Sequence, residues 1–252
     1  MNPTGIPYLD LTYNPGGAGC SRGCPKCWAR NAALRIGRNI GCRKCETFAV
    51  HLHDERLGRP AARKKPATIG VQFTGELFDP RRPIDDVRRI LESIRAAPQH
   101  TFILLTQQPH LMLRDEYRFR PEWFCGITAR HQRQLDAGMR NLLQVRCRRW
   151  LSAEPLEGPM DLRPWLRFLD GVIVGANDNA DEPEARPAWI ASIARQCEAA
   201  SVPVYVKQIR IDGRLATNSE RFPEYLRIGE LPWPCGGLPA GWDHHPGRRR
   251  SN

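Results

Sequence analysis

Short apolar runs alternate along the chain with amphipathic stretches, a pattern that predicts repeated βα units. The first run, Tyr8–Tyr13, breaks off at the Asn-Pro-Gly-Gly of residues 14–17. The spacing then predicts a helix from Trp28 to Arg38 and a strand over Val71–Phe73 that leads into Thr74-Gly75-Glu76. Ile84, Val87, Leu91 and Ile94 recur three and four residues apart, which marks a helix with Pro83 as its first residue. TFILLT (101–106) and WFCGIT (123–128) read as buried strands, followed by a helical stretch from His131 to Leu143. RRWLSAE (148–154), DGVIVGAN (170–177) and VPVYVKQI (202–209) continue the series. Between the last two lies a helix over Pro187–Ala200, with Trp189, Ile193 and Cys197 on one face. Parallel strands that follow one another in this way form an open sheet or a barrel. From Leu231 the chain becomes Pro/Gly-rich and ends in GRRRSN, with no periodicity to predict an element.

A chain of 252 residues, 41% of them hydrophobic, is long enough to bury a core as one α/β domain. No apolar run approaches the roughly 18 residues that would span a bilayer, and the start, MNPTGIPYLDL, lacks the pattern of a signal peptide. Both features predict a cytoplasmic protein without a membrane partner, in which thiols stay reduced. Nine cysteines in that setting point to metal ligation or catalysis before disulfides. The formal net charge of +11 favours a polyanionic partner, nucleic acid first. Between Asp10 and Glu46 there is no acidic residue, while Arg22, Lys26, Arg30, Arg35, Arg38, Arg43 and Lys44 are basic. A second basic group, Arg81, Arg82, Arg88, Arg89 and Arg95, is diluted by Asp85, Asp86 and Glu92 and reads as a solvated helix face.

That acid-free stretch surrounds G-C-S-R-G-C-P-K-C-W, residues 19–28, in which Cys20, Cys24 and Cys27 are spaced C-x3-C-x2-C. Three thiolates on one tight loop can each bind one iron of a [4Fe–4S] cube and leave the fourth iron without a protein ligand. Zinc is the competing reading, since Cys42 and Cys45 could complete a set of four ligands. Those two cysteines, followed by His51 and His53, could also form a separate four-ligand zinc site, C-x2-C-x5-H-x-H. On a strand the two histidines would face the same side. An auxiliary cluster on Cys42 and Cys45, or simple packing, is the alternative. Cys125, Cys147, Cys197 and Cys235 are isolated in sequence and read as buried structural residues.

The C-x3-C-x2-C spacing resembles that of the radical S-adenosylmethionine (SAM) superfamily. The ordered series also resembles the phage Gp37/Gp68-like family. The matching segments include Tyr13-Asn14-Pro15, HLHDERL (51–57), FTGELFD (73–79), APQHTFILLT (97–106) and CGIT (125–128). LSAEPLEGPMDL (151–162), VIVGA (172–176) and VPVYVKQ (202–208) extend the likeness over roughly residues 8–210. Two departures from the phage family stand out: the spacing between Cys20 and Cys24 is shorter than in many members, and VGAND (174–178) replaces a more acidic Gly-Gly-Glu-like segment. Against the superfamily pattern, Lys26 replaces the usual aromatic residue before the third cysteine, with Trp28 after it. The resemblance implies a partial (β/α)6 radical SAM-type barrel over residues 1–210, with a Pro/Gly-rich extension over 211–252. It implies one [4Fe–4S] cluster on Cys20, Cys24 and Cys27, and one SAM near Trp28, Thr74, Gly75, Glu76, Thr128 and Ser152. Gln107, Glu154, Asn177 and Lys207, at predicted strand ends, would contact SAM or substrate.

The chemistry so implied is electron transfer from an external donor that splits SAM and yields a 5′-deoxyadenosyl radical. Charge and family likeness together suggest a nucleobase in DNA, such as a substituted thymine whose C–N linkage is rearranged to C–C, making the protein an isomerase. A thymine-photoproduct lyase and a tRNA-base modifier are the enzyme alternatives. A zinc-stabilised nucleic-acid-binding protein without catalysis is the alternative of another class.

Overall fold

Among the described residues, seven strands run parallel in the order in which the chain makes them. In the computed structural model of the protein, residues 1–25, 27–177 and 185–235 are described. The parallel strands are β2 (Leu11–Tyr13), β3 (Thr68–Val71), β4 (Thr101–Thr106), β5 (Phe124–Thr128), β6 (Arg148–Ala153), β7 (Gly171–Gly175) and β8 (Val204–Ile211). Two short strands, β1 (Asn2–Pro3) and β9 (Arg214–Ala216), add antiparallel edges. The helices are α1 (Trp28–Ile40), α2 (Arg43–Glu46), α3 (Arg59–Ala62), α4 (Ile84–Arg95), α5 (Gln132–Leu142), α6 (Arg163–Leu166) and α7 (Pro187–Ala199). Among the described residues no helix is long and apolar enough to cross a membrane.

Both faces of the sheet are buried, which is why its strands read as continuous apolar runs. Ile69, Phe102, Leu104, Cys125, Ile127, Leu151, Val172 and Val174 pack against the apolar faces of α4, α5 and α7. Their neighbours one step along, Ile103, Phe124, Trp150, Ile173 and Tyr205, turn to the opposite face. There Tyr8, Leu9, Leu231, Trp233 and Cys235 close over them. The indole N–H of Trp233 donates to Tyr8 O at 3.0 Å, and that of Trp150 to Leu104 O at 3.1 Å, so neither buried donor is left unpaired.

This second face is concave. In a flat sheet β3 and β7 would lie about 19 Å apart, four strand spacings. Yet Pro234 O accepts from the Thr68 hydroxyl on β3, and Pro232, two residues away, sits where a Cβ on Gly171 of β7 would meet it at 2.5 Å. Tyr8, just before β2, also stacks edge-on against Tyr205 of β8 at 6.0 Å between ring centroids. The open sheet therefore curls around a shared aromatic core. The Pro/Gly-rich segment from Leu231, without a periodic signal in the sequence, supplies part of that core through Leu231, Trp233 and Cys235. The terminal arginines 248–250 lie outside the described residues, as do Lys26 and Asp178.

Several sequence expectations shift. The third strand ends at Val71, the first residue of the expected Val71–Phe73 run, because Gln72 takes φ 60° and leaves the extended region. Pro83 precedes its helix instead of opening it, with an extended ψ of 138°. The first helix runs on to Ile40, where Gly41 at φ 64° closes it and the Cys42 N–H donates to Gly37 O at 2.8 Å. Arg82 is buried instead of lying on a solvated face, and donates to His51 O at 2.6 Å.

Candidate functional site

Because β2 to β8 are parallel, their C-terminal ends share one edge, and the loops there carry nearly every polar residue singled out from the sequence. The Cys20–Cys27 loop follows β2, Thr74–Glu76 follows β3, and Gln107 follows β4. Thr128 ends β5 opposite Ser152 of β6, and Asn177 follows β7. Glu154 and Lys207 meet as an ion pair of 3.0 Å, with Ser152 Oγ 3.4 Å from the Glu154 carboxylate. The bond from Glu154 to Pro155 is cis. Arg22, from the cysteine loop, donates to Gln107 O at 3.2 Å. It lines a cavity of about 260 Å³ with Gln107, His110, Thr128, Gln134 and Asn141.

The stem of the loop, residues 15–19, is buried, whereas Cys20, Cys24 and Cys27 are half-buried. Two residues missed in the sequence hold that stem. The Gln72 amide accepts from Gly16 N and donates to Gly17 O, each at 2.8 Å. The Asp79 carboxylate accepts from Ser21 N at 2.6 Å and Ser21 Oγ at 2.8 Å. Thr74 Oγ1 adds a bond to Gly17 O at 2.9 Å, and Gly75 bridges Gly19 so closely that a Cβ there would lie 2.2 Å from Gly19 O. Thr74 and Gly75 therefore clamp the cysteine loop. Glu76 is buried and accepts from Thr106 Oγ1 at 2.7 Å, Phe78 N at 3.0 Å and Gln107 N at 3.0 Å. Burial raises its pKa above the usual carboxylate range, and these three donors oppose the shift. Trp28 is 54% exposed at the start of α1. Cys27 caps that helix, its sulfur accepting from Arg30 N at 3.5 Å. Burial, reinforced by the carboxylates of Asp79 and Glu76, pushes the Cys20 thiol up to about 11, with the Arg22 N–H opposing.

A second centre lies beside the stem. The ligand atoms of Cys42, Cys45, His51 and His53 all fall within 4.8 Å of one another, and none of Cys20, Cys24 and Cys27 joins them. Cys45 Sγ is 3.4 Å from both His51 Nε2 and His53 Nε2, Cys42 Sγ is 3.6 Å from His51 Nε2, and the two imidazole nitrogens are 3.0 Å apart. Four ligands around one tetrahedral zinc, with bonds of about 2.3 Å to sulfur and 2.0–2.1 Å to nitrogen, give S···N edges of about 3.5 Å and an N···N edge of about 3.3 Å. Three S···N separations of 3.4–3.6 Å and the N···N separation of 3.0 Å are near those edges, and the widest separation in the tetrad, up to 4.8 Å, would have to close by about 1 Å onto an ion. Ligands of a cubane cluster bind different irons and stand farther apart. The four residues can thus hold one metal ion.

The histidines are also oriented for a ligand role. His51 Nδ1 lies 2.8 Å from Ala49 O and His53 Nδ1 lies 3.0 Å from Glu55 Oε1, which turns each Nε2 to the centre. Burial lowers both imidazole pKa values and so favours the neutral, metal-binding form. The two histidines sit in an irregular segment instead of a strand, yet they converge on the same point. Of the remaining cysteines, Cys125, Cys197 and Cys235 are buried as expected. Cys147 is only half-buried and is not isolated, since it borders Cys125, whose pKa burial pushes far up.

With this geometry established, the chain is identified as a member of the family described as "Protein of unknown function (DUF5131)", whose model matches residues 3–220. No curated protein and no solved structure matches it.

Proposed function

We propose that this member of the DUF5131 family is a radical SAM enzyme acting on a base in nucleic acid, with a separate zinc ion beside its iron–sulfur site. The observation that carries the reading is the division of five neighbouring cysteines into two sets. Cys42 and Cys45 belong with two histidines to a one-ion centre, which leaves Cys20, Cys24 and Cys27 as a three-thiol set without them. Three thiols on one loop suit a cube with one iron free, whereas zinc would lack its fourth ligand. When bound, the cluster supplies the electron that splits SAM and releases a 5′-deoxyadenosyl radical.

The protein's own part is positioning. Cys20, Cys24 and Cys27 hold the cluster at the C-terminal edge of a curled parallel sheet of radical SAM-barrel type. Thr74 and Gly75 fix the loop, and Glu76 sets the turn into Gln107 beside the cavity. Thr128, Ser152, Asn177 and the Glu154–Lys207 pair offer polar contacts to SAM and substrate on the same edge. Arg22, Arg30, Arg35, Arg38, Arg43 and Lys44 are all exposed around the loop, and that cationic surface favours phosphates. Two thiolates and two imidazoles converging on one point suit zinc at the second centre.

The test is anaerobic purification, reconstitution with iron and sulfide, reduction, and assay of 5′-deoxyadenosine. The Cys20→Ala, Cys24→Ala and Cys27→Ala variants run in parallel. Release by the parent alone supports the reading. Zinc without iron or sulfide would overturn it in favour of a zinc-stabilised nucleic-acid-binding protein. DNA carrying substituted thymine, ultraviolet-irradiated DNA and tRNA, added separately, distinguish isomerase, photoproduct lyase and tRNA modifier.

A further inference from the structure

We infer that the metal held by Cys42, Cys45, His51 and His53 anchors the Cys20–Cys27 loop, so that the loop takes its cluster-binding shape only when that metal is bound. The inference rests on the reading that Cys20, Cys24 and Cys27 hold the cluster, and it adds a task to the second centre.

Both ends of the loop lean on the tetrad. At the stem, Ala18 N donates to Cys45 Sγ at 3.5 Å. A Cβ on Gly17 would lie 2.6 Å from His51 Cε1 and 2.7 Å from Cys45 Sγ, so backbone and ligands touch with no room between them. Gly19 abuts Ala49 O, the same carbonyl that orients His51. At the other end, Cys27 opens α1, whose last turn closes directly onto Cys42 through the Cys42 N–H bond to Gly37 O at 2.8 Å. His53 N donates to Pro15 O at 2.8 Å, and Arg82 ties His51 O to the Glu76 segment.

The apolar support in this region is slight. Ala18, Ala29, Ala33, Cys45 and Phe48 form its buried cluster, with Cys20, Cys27, Ile36 and Cys42 against it. Three alanines, one cysteine and one phenylalanine bury little area, and segments with so small a core depend on a metal or another cross-link. Without the metal, two thiols and two imidazoles would crowd one point with nothing to bind. The stem would then keep Gln72, Thr74 and Asp79 on one side and lose its support on the other.

The test uses the full chain as parent, a Cys42→Ser/His53→Ala double variant, and a His53→Cys variant, since zinc also accepts three thiolates and one imidazole. Zinc, iron and sulfide are measured after anaerobic reconstitution, and amide hydrogen exchange over residues 14–27 is followed before iron is added. Exchange in β4 to β7 serves as the check that the sheet is intact. In the zinc-free double variant, the amides of Gly16, Ala18 and Ser21 should exchange at least about tenfold faster than in the parent. Its iron uptake should fall below a third of the parent's, and His53→Cys should restore both. If the double variant loses sheet protection as well, zinc is withdrawn from the parent with a chelator and the same amides are read. Zinc-free protein whose residues 14–27 exchange at the parental rate would overturn the inference. A parent that takes up no iron, while its loop still responds to zinc, would overturn the cluster reading and leave the anchor standing.

Discussion

The two cysteine centres differ in how far the polypeptide alone completes them. The Cys42–His53 tetrad is assembled, with four ligand atoms within 4.8 Å and two imidazoles aimed by a carbonyl and a carboxylate. The Cys20–Cys27 loop has a fixed stem and half-buried thiols at its outer end. The contrast follows from what each would hold. Ligands of one ion must meet at a point, which backbone and hydrogen bonds can define in advance. Ligands of a cluster surround a volume that the cluster itself fills, so the protein can fix the base of the loop and leave the thiols apart.

The largest effect that tests this contrast is metal removal. Zinc present at a thousand times its Kd adds about 4 kcal/mol to the folded state, and in a chain of this length each kcal/mol moves Tm by roughly 2–4 °C. Chelating zinc from iron-free protein should therefore lower Tm by about 10 °C, read by calorimetry, whereas leaving iron out should change Tm little. Equal sensitivity to both metals would erase the distinction between an assembled and an unassembled centre.

Next in size is Gly75→Ala. The new methyl would stand 2.2 Å from Gly19 O, a backbone atom, with no flexible side chain to give way. Overpacking of this kind costs about 1–3 kcal/mol. Denaturant unfolding should show that loss, with zinc content kept and iron uptake impaired, because Gly75 presses on the stem and not on the tetrad. Loss of zinc together with iron would mean that the two centres cannot be separated at this position.

The sequence made the centres visible to different degrees. C-x2-C-x5-H-x-H is a local spacing, and the four residues meet even though the histidines lie in irregular chain and not on a strand. Gln72 and Asp79 escaped notice because their partners are 55–58 residues away and neither residue carries a motif of its own. The clamp role of Thr74 and Gly75 was hidden for the same reason. Strands β4 to β8 were legible as apolar runs because both of their faces are buried. The aromatic plug of Leu231, Trp233 and Cys235 was not, since prolines and glycines broke any periodicity and its partners lie near residue 8 and on the distant strands.

A subtler test replaces one outer partner of the tetrad. Glu55 is exposed, but its carboxylate lies 3.0 Å from His53 Nδ1. Glu55→Gln should weaken zinc about 10–100-fold, the usual range for such outer partners, as measured by competition with a chromophoric chelator. Fold and iron loading at saturating zinc should be unchanged. An unaltered zinc affinity would show that His53 is held in its tautomer by something other than this carboxylate, and the tetrad would be less fully assembled than its geometry indicates.

The smallest effect concerns Trp28, next to Cys27 and 54% exposed. An indole so exposed adds little to packing, so Trp28→Ala should change stability by no more than about 0.5 kcal/mol. Zinc and iron content should stay at parental levels. Stacking of a base on an aromatic ring contributes about 1–3 kcal/mol, and SAM carries an adenine. Its Kd for the reconstituted protein, measured by equilibrium dialysis, should therefore rise at least about fivefold, the low end of that range. An unchanged Kd would remove Trp28 from the SAM site and move the search for the adenine contact to the cavity lined by Gln107, His110 and Thr128. Either result defines the open side of the cysteine loop, where the polypeptide alone leaves the most unfinished.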